Sequence, residues 1–564
     1  MAKHSINALV WVSTLCLGAF RPAAAAEPVL FTKGVMADVR PEDAPAASQL
    51  VKKIDLIACP DEFEPFSLAI RDDRDGSWAF RSAALKGAGG RAIPASAVEI
   101  APLRFRPAQG HLGKYGHVKD YILQPKQKGM VILKGATGWL WLTVHVPADA
   151  KPGRYEGTLT LIRKEDARRL DVPLAVEVLP VPHVPPKGVQ FALLYTVAFG
   201  QYHTERTRKQ RRPAALALYR EMKDHGMTCI APKCSDWDGR TSRSTGTGWR
   251  RGHYEGLEAC VAAAMEVGLD GPILWNMGTL INVRKGGKNY AQFDGKCDGW
   301  NERRDLANFE AIIRETQALA KARRWPEIVY LALDEPGTQT ENLKMRTLRL
   351  GELLPKTLKV TADLGVRGGA TITEPVDEKH NRRWVEELDE LRKLWDRSRP
   401  YCHIRLYGYG YPQGKTDLAH EQADCKKRGH EMWFYNNGAS MGGNRHLARL
   451  FFGLWGWRVG ARGLTSWTYP GGRTVQLELI REGIDDFKYL ATLERLIAEK
   501  RGTEQDRNAA QAFLDKLKAS IKLDKNGYIK DWAAAAAAAT GQAKTADFAA
   551  LKRRIAERIR ALAN

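Results

Sequence analysis

The chain has 564 residues, 44% of them hydrophobic, and carries 87 Lys and Arg against 65 Asp and Glu for a net charge of +22. That length exceeds one ordinary domain, so two or three domains are expected, and the apolar fraction suffices for packed cores. A basic surface attracts polyanions, but an export signal and the lack of a nucleic-acid-binding motif argue against nucleic acid as the partner.

Residues 1–26 read as that signal. Lys3 supplies positive charge, Ala8 to Phe20 form the apolar segment, and Ala23 to Ala26 offer small-residue cleavage sites. The stretch is too short and wrongly flanked to span a bilayer. A soluble protein, periplasmic or extracellular and without stable membrane insertion, is expected. Of eight cysteines, seven survive removal of Cys16. Export permits disulfides; a Cys229–Cys234 bridge is one reading, independent buried thiols the plainer one. With no CxxC or Cys/His ligand spacing, neither a metal site nor a cofactor is expected.

Residues 27–182 read as short strands and turns. Trp139 to Val146 alternates with the period of a strand, a turn follows at Pro147 to Gly153, and Arg154 to Ile162 alternates again. This pair is expected to form a hairpin. Further strand candidates are Ile54 to Ala58, Phe66 to Ile70, Val98 to Ile100, Met130 to Leu133 and Leu174 to Leu179. The pattern predicts an N-terminal β-sandwich. The proline-rich segment Pro180 to Gly188 cannot form helix or a central strand, and marks a domain boundary.

From Val189 strands and helices alternate. Strands are expected at 189–196, 227–231, 272–276, 327–333, 358–363, 402–407, 431–435 and 463–468, with helices between. Eight such units predict a (β/α)8 TIM barrel over 189–482. A doubly wound open sheet is the alternative, weakened because no glycine-rich phosphate loop follows the first strand. Residues 483–564 form a C-terminal helical tail, in which nothing carries chemistry. The densest basic cluster, Arg206 to Arg212, opens a helix and has a plain reading as a solvated face.

In such a barrel functional groups gather where strands end. Those positions hold Trp275 and Asn276, then Asp334 and Glu335, then Asp363, Arg405 and Tyr407, then Trp433, Tyr435 and Asn436, and finally Trp467 and Tyr469. Aromatic faces with a few carboxylates and amides suit a sugar, whose C–H faces stack and whose hydroxyls need polar partners. Any one of these aromatics alone reads more simply as core, and Asp363 with Arg405 reads equally as a structural ion pair. The adjacent carboxylates Asp334 and Glu335 restrict the chemistry. Two carboxyls flanking a glycosidic bond stand roughly 5–5.5 Å apart for retention and about 6.5–9.5 Å for inversion. Neighbouring residues rarely straddle a sugar in that way. They suit a substrate-assisted route, in which the 2-acetamido oxygen attacks the anomeric carbon, Asp334 orients the acetamido N–H and Glu335 protonates the leaving oxygen.

Four ordered segments carry a family resemblance: Cys59-Pro60-Asp61-Glu62-Phe63-Glu64-Pro65-Phe66, Trp141 to Gly157, Tyr330-Leu331-Ala332-Leu333-Asp334-Glu335-Pro336, and Arg481-Glu482-Gly483-Ile484-Asp485-Asp486-Phe487-Lys488-Tyr489-Leu490. Over roughly residues 50 to 490 the chain resembles the glycoside hydrolase family 123 group and its relatives formerly grouped as a domain of unknown function. The resemblance implies a β-sandwich followed by a (β/α)8 barrel that cleaves terminal β-linked N-acetylgalactosamine with retention. It implies an acetamido-orienting role for Asp334, an acid/base role for Glu335, and pocket aromatics corresponding to Tyr435, Trp433 and Trp467. The partner expected is therefore a glycan; the charge fits a sulfated or uronate-bearing one, while basic residues spread for solubility are the plainer reading. Two rivals stand beside this: a glycosidase of the same architecture acting on another sugar, and a non-catalytic glycan-binding protein. Linkage and oligomeric state are not readable from the sequence.

Overall fold

The computed structural model describes residues 27–109, 117–194, 198–199, 205–232, 254–276, 302–333, 336, 349–372, 393–408, 418–441 and 443–563. Its N-terminal part contains two sheets. One runs in the order Val29–Phe31, Phe63–Arg71, Thr137–His145, Val98–Gln109, His117–Leu123. The other runs Ile54–Ala58, Arg169–Val178, Gly153–Arg163, Gly76–Ser82, Gly129–Ile132, with two short strands beside it. Leu68, Ile70, Leu140, Leu142 and Val144 from the first sheet share one core with Ile54, Trp78, Leu159, Leu161 and Val176 from the second.

The expected hairpin is not formed. Thr137–His145 pairs with Phe63–Arg71 and Val98–Gln109, whereas Gly153–Arg163 pairs with Arg169–Val178 and Gly76–Ser82. The turn at 147–152 therefore crosses from one sheet to the other. Burial explains why: every residue from Thr137 to Val144 is buried, so this central strand has no solvent face. Its leucines face the inter-sheet core, while Trp139 and Trp141 face the α/β part of the chain. Alternation of large apolar residues on both faces marks a middle layer rather than a half-exposed hairpin.

The third sheet is parallel, in the order Gln190–Leu194, Gly463–Trp467, Glu431–Tyr435, Ile404–Gly408, Gly368–Ile372, Ile328–Leu333, Ile273–Asn276. Helices Glu205–Asp224, Glu255–Glu266, Glu302–Arg323, Leu354–Asp363 and Leu418–Arg428 lie between its strands in the chain. Residues 228–231 touch both edges. Leu194 bridges Ala231 in parallel, Thr228 donates its N–H to Phe191 O at 2.9 Å, and Leu274 donates to Ile230 O at 2.9 Å. The chain is thus mixed α/β, with two N-terminal sheets and one parallel sheet.

The strand expected at 358–363 lies further along the chain. Residues 358–363 belong to helix Leu354–Asp363, and the strand is Gly368–Ile372. Thr357 and Val360 give the helix a strand-like composition, but Thr357 Oγ1 bonds back to Leu353 O at 2.8 Å, an accommodation helices allow to threonine. The true strand opens with two glycines, poor strand formers by propensity. Packing demands both. A Cβ on Gly369 would stand 2.8 Å from Ile404 O, and one on Gly368 would stand 2.2 Å from Thr361 Oγ1.

The chain ends in helices Val475–Ala498, Glu504–Ser520, Trp532–Thr540 and Phe548–Ala563. The expected boundary at 482/483 falls inside the first of them, which Thr474 caps by accepting the Leu477 N–H at 3.1 Å. Gly483 lets this helix cross the short helix Arg445–Leu450: a Cβ there would lie 2.3 Å from Arg449 O. Arg449 holds Asp486 by two bonds of 2.7 and 2.9 Å. Two of the resemblance segments meet at this helix. Tyr489 donates to Glu62 Oε2, which also accepts the Cys59 N–H at 2.7 Å, and Lys552 Nζ reaches both Glu62 and Glu64.

Candidate functional site

Side chains alternate along the parallel strands, and the two faces have separate cores. One face carries Ala192, Leu194, Leu274, Val329, Leu331, Ile404, Leu406, Trp433 and Tyr435, with Cys229 and Ala231 from the segment that meets both edges. The other carries Phe191, Leu193, Ile273, Trp275, Tyr330 and Tyr407, and packs on the helices. The first face is the one available to a site at the strand ends.

Of the expected residues, Asn276, Trp433, Tyr435 and Trp467 share that first face. Asn276 is buried and alternates with Leu274 on strand Ile273–Asn276. Trp433 lies at the base: it is fully buried, its Nε1 donates to Glu431 Oε2 at 2.8 Å, and its ring occupies the space a Cβ on Gly463 would need, 1.9 Å from Cδ2. Below it Arg367 bonds Glu327 at 2.5 and 2.7 Å and Glu431 at 2.8 Å. Tyr435 is 5% exposed and Trp467, half-buried, packs against the same cluster. Asn436, next along the chain, accepts the Gly438 N–H through Oδ1 at 2.9 Å, turning the chain at the strand's exit. Ser466 Oγ donates to Asn436 O at 2.6 Å and ties this turn to strand Gly463–Trp467.

Five expected residues stand elsewhere. Trp275 faces the helices beside Tyr330, ring centroids 5.9 Å apart. Tyr330 in turn bonds Thr316 Oγ1 at 2.7 Å and Gln317 at 3.1 Å, and burial pushes its pKa up to about 12. Asp363 ends a helix, exposed, with Lys359 Nζ at 2.7 Å from both its oxygens. Arg405 is fully buried on the helix side, bonding Glu421 at 3.1 Å and Asp424 at 2.5 Å, so the Asp363–Arg405 ion pair is not formed and each residue has its own partners. Tyr407 donates to the same Glu421. Tyr469 donates to Glu221 on helix Glu205–Asp224 at 2.8 Å. Sequence reading missed Thr371, buried on the first face next to Leu406 in register. The signal was the alternation Gly369-Ala370-Thr371-Ile372, hidden by misplacing the strand.

Asp334 and Glu335 lie outside the described residues. The strand leading to them contains a bulge: Leu331 pairs with Gly369, but Leu333 pairs with Ala370. The extra residue reverses the alternation. Leu331 faces the first core, whereas Ala332 and Leu333 both face the second. Cys229 is a free buried thiol, its pKa pushed up to about 12 by burial. Cys234 lies outside the described residues.

A cavity of about 550 Å³ opens on another side of the molecule, between the N-terminal sheets, the end of helix Glu205–Asp224 and helix Val475–Ala498. Its walls include Phe63, His145, His183, Arg220, Lys223 and Asp485, with none of the residues expected at the strand ends.

No family model matches the sequence, and no curated protein matches it. Among solved structures, the chain superposes on a family 123 glycoside hydrolase from Clostridium perfringens, analysed for glycolipid glycan hydrolysis. The TM-score is 0.61 at 12% identity, over 91% of this chain and 94% of that one. That likeness shows the fold. A β-1,4-mannanase from the sea hare Aplysia kurodai gives a TM-score of 0.35 at 11% identity, over 53% of this chain and 92% of that one.

Proposed function

We propose that the chain is an exported retaining glycoside hydrolase that removes terminal β-linked N-acetylhexosamine, N-acetylgalactosamine foremost, by substrate-assisted catalysis. In this reading residues 27–182 form a β-sandwich. Residues 189–482 form a (β/α)8 barrel, with 228–231 as the eighth stave between its two edge strands. The contacts of Leu194 and Leu274 with that segment support the closure.

The observation that carries the reading is the bulge between Leu331 and Leu333. Bulges beside active sites re-aim the side chains that follow. Asp334 and Glu335 follow Leu333 directly in the sequence, and in this reading they meet the sugar beside Asn276, Tyr435 and Trp467. Asp334 orients the acetamido group and Glu335 acts as acid/base. Glu335 protonates the departing oxygen as the acetamido oxygen closes on the anomeric carbon. It then deprotonates the water that opens the resulting oxazoline, so configuration is retained. Asp334, ionised, stabilises the positive charge that develops on the acetamido nitrogen. Tyr435 and Trp467 supply the apolar walls against which a sugar's C–H face stacks. The net charge of +22 favours sulfated or uronate-bearing glycans as natural ligands.

A panel of aryl glycosides tests this. Hydrolysis confined to N-acetylated hexosaminides, and inhibition by N-acetylgalactosamine thiazoline, are expected. Turnover of sugars lacking the acetamido group would move the chain to another glycosidase class. Glycan binding without product release would make it a binding protein.

A further inference from the structure

The linker histidine and the two resemblance segments that meet at Tyr489 have no part in that chemistry, yet they bring three ligand-type side chains together. Glu62, His183 and Asp485 each offer one ligand atom, and these atoms lie within 4.8 Å of one another. All three residues are buried. The His183 ring is 2% exposed, and neither of its nitrogens makes a hydrogen bond. A buried imidazole left in that state forfeits the bonds it makes to water when unfolded. Nε2 stands 3.4 Å from Asp485 Oδ1 without forming a hydrogen bond. Two ligands of a tetrahedral zinc ion, bonded at about 2.0–2.2 Å, stand at about that separation.

We propose that Glu62, His183 and Asp485 form a divalent-cation site of the zinc class. The ion would pin the 180–188 segment to the first sheet and to helix Val475–Ala498. One imidazole and two carboxylates, without sulfur, suit Zn²⁺ better than Ca²⁺, which takes oxygen ligands alone. His183 and Asp485 also line the cavity of about 550 Å³. That gives the ion an entry path and room for the water that completes its coordination. The surroundings are rich in carboxyl groups: Glu64, Glu482 and Asp486 are buried nearby, and Glu482 Oε1 has no hydrogen-bond partner. Two lysines compete for the same oxygens. Lys552 Nζ spans Glu62 and Glu64, so it retains Glu64 when the ion takes Glu62, and Lys488 Nζ is 3.1 Å from Asp485 Oδ1.

The test uses the purified full chain, stripped with chelator and dialysed against ZnCl₂, with CaCl₂ as control. Wild type should retain Zn²⁺ stoichiometrically and Ca²⁺ not at all, with a zinc-dependent rise in Tm of at least about 2 °C. X-ray absorption at the zinc edge should show one imidazole, oxygen donors and no sulfur. His183→Gln and Asp485→Asn should each weaken zinc binding by about 100-fold or more. Failure of wild type to hold zinc, a sulfur ligand in the spectrum, or undiminished binding by both variants would overturn the proposal. The absorption spectrum decides on wild type alone if a variant does not fold. None of these readouts depends on glycosidase activity.

Discussion

Tyr489 gives its phenol hydrogen to Glu62 at 2.6 Å, across 427 residues of chain. Both groups are buried, so the bond fastens the first sheet to the long helix that follows the parallel sheet. Tyr489→Phe leaves a buried carboxylate one donor short. A loss of about 1.5–3 kcal/mol is expected, read as a lower denaturant midpoint, with kcat for any glycoside unchanged. An unmoved midpoint would mean that the joint does not rest on this bond.

The same helix carries Glu478, wholly buried, which receives Arg473, Arg481 and, at 3.1 Å, His225 Nε2. Burial alone would raise its pKa, but the charges of Arg481, Arg473 and His225 outweigh that and hold it well below the usual carboxylate range. A folded pKa below the unfolded one gives stability that is complete above the unfolded value and disappears as pH falls through the folded value. Glu478→Gln should cost about 3–5 kcal/mol at pH 7, because it strands buried arginine charge. The gap between variant and wild type should narrow once pH drops below about 4. Parallel urea titrations at neutral and acid pH check both statements.

Gly463 faces the Trp433 ring, and a methyl group there meets Cδ2 at 1.9 Å. Gly463→Ala should lower stability by about 1–3 kcal/mol or more through overpacking. The tryptophan fluorescence spectrum should shift with it. Unchanged emission and stability would show that Trp433 can vacate the position at no cost.

Arg405 and Asp363 separate structural roles from sugar contact. Arg405→Met removes one of the two arginines that hold the buried Glu421, Arg399 remaining at 2.5 Å, and should cost about 1–3 kcal/mol while leaving KM unchanged for the enzyme that remains folded. Asp363→Ala, on an exposed helix end, should fall within about 0.5 kcal/mol of wild type and leave KM unchanged. A raised KM in either variant would return that residue to the sugar site.

Six of the eight parallel strands expected between 189 and 468 are legible as short apolar runs, whereas 227–231 makes only an isolated bridge from Ala231 to Leu194. Gly368–Ile372 is not legible, because close packing against Ile404 and Thr361 forces glycine where propensity asks for β-branched residues. The hairpin failed for a different reason: alternation fixes which residues share a face, but not which strand lies next door. The strand-end list mixed two faces for the same cause. Trp275, Arg405 and Tyr407 come one residue before or after positions on the first face, and only register separates them. The joint of Glu62 with Tyr489 could not be read at all, since nothing local predicts contact between segments so far apart.

The central claim is most directly tested at Glu335. Wild type should hydrolyse an aryl N-acetyl-β-galactosaminide, and Glu335→Gln should lower that rate by about 10²–10⁴-fold with an unaltered unfolding midpoint. Equal rates for the two proteins would contradict an acid/base role for Glu335 and the substrate-assisted mechanism built on it.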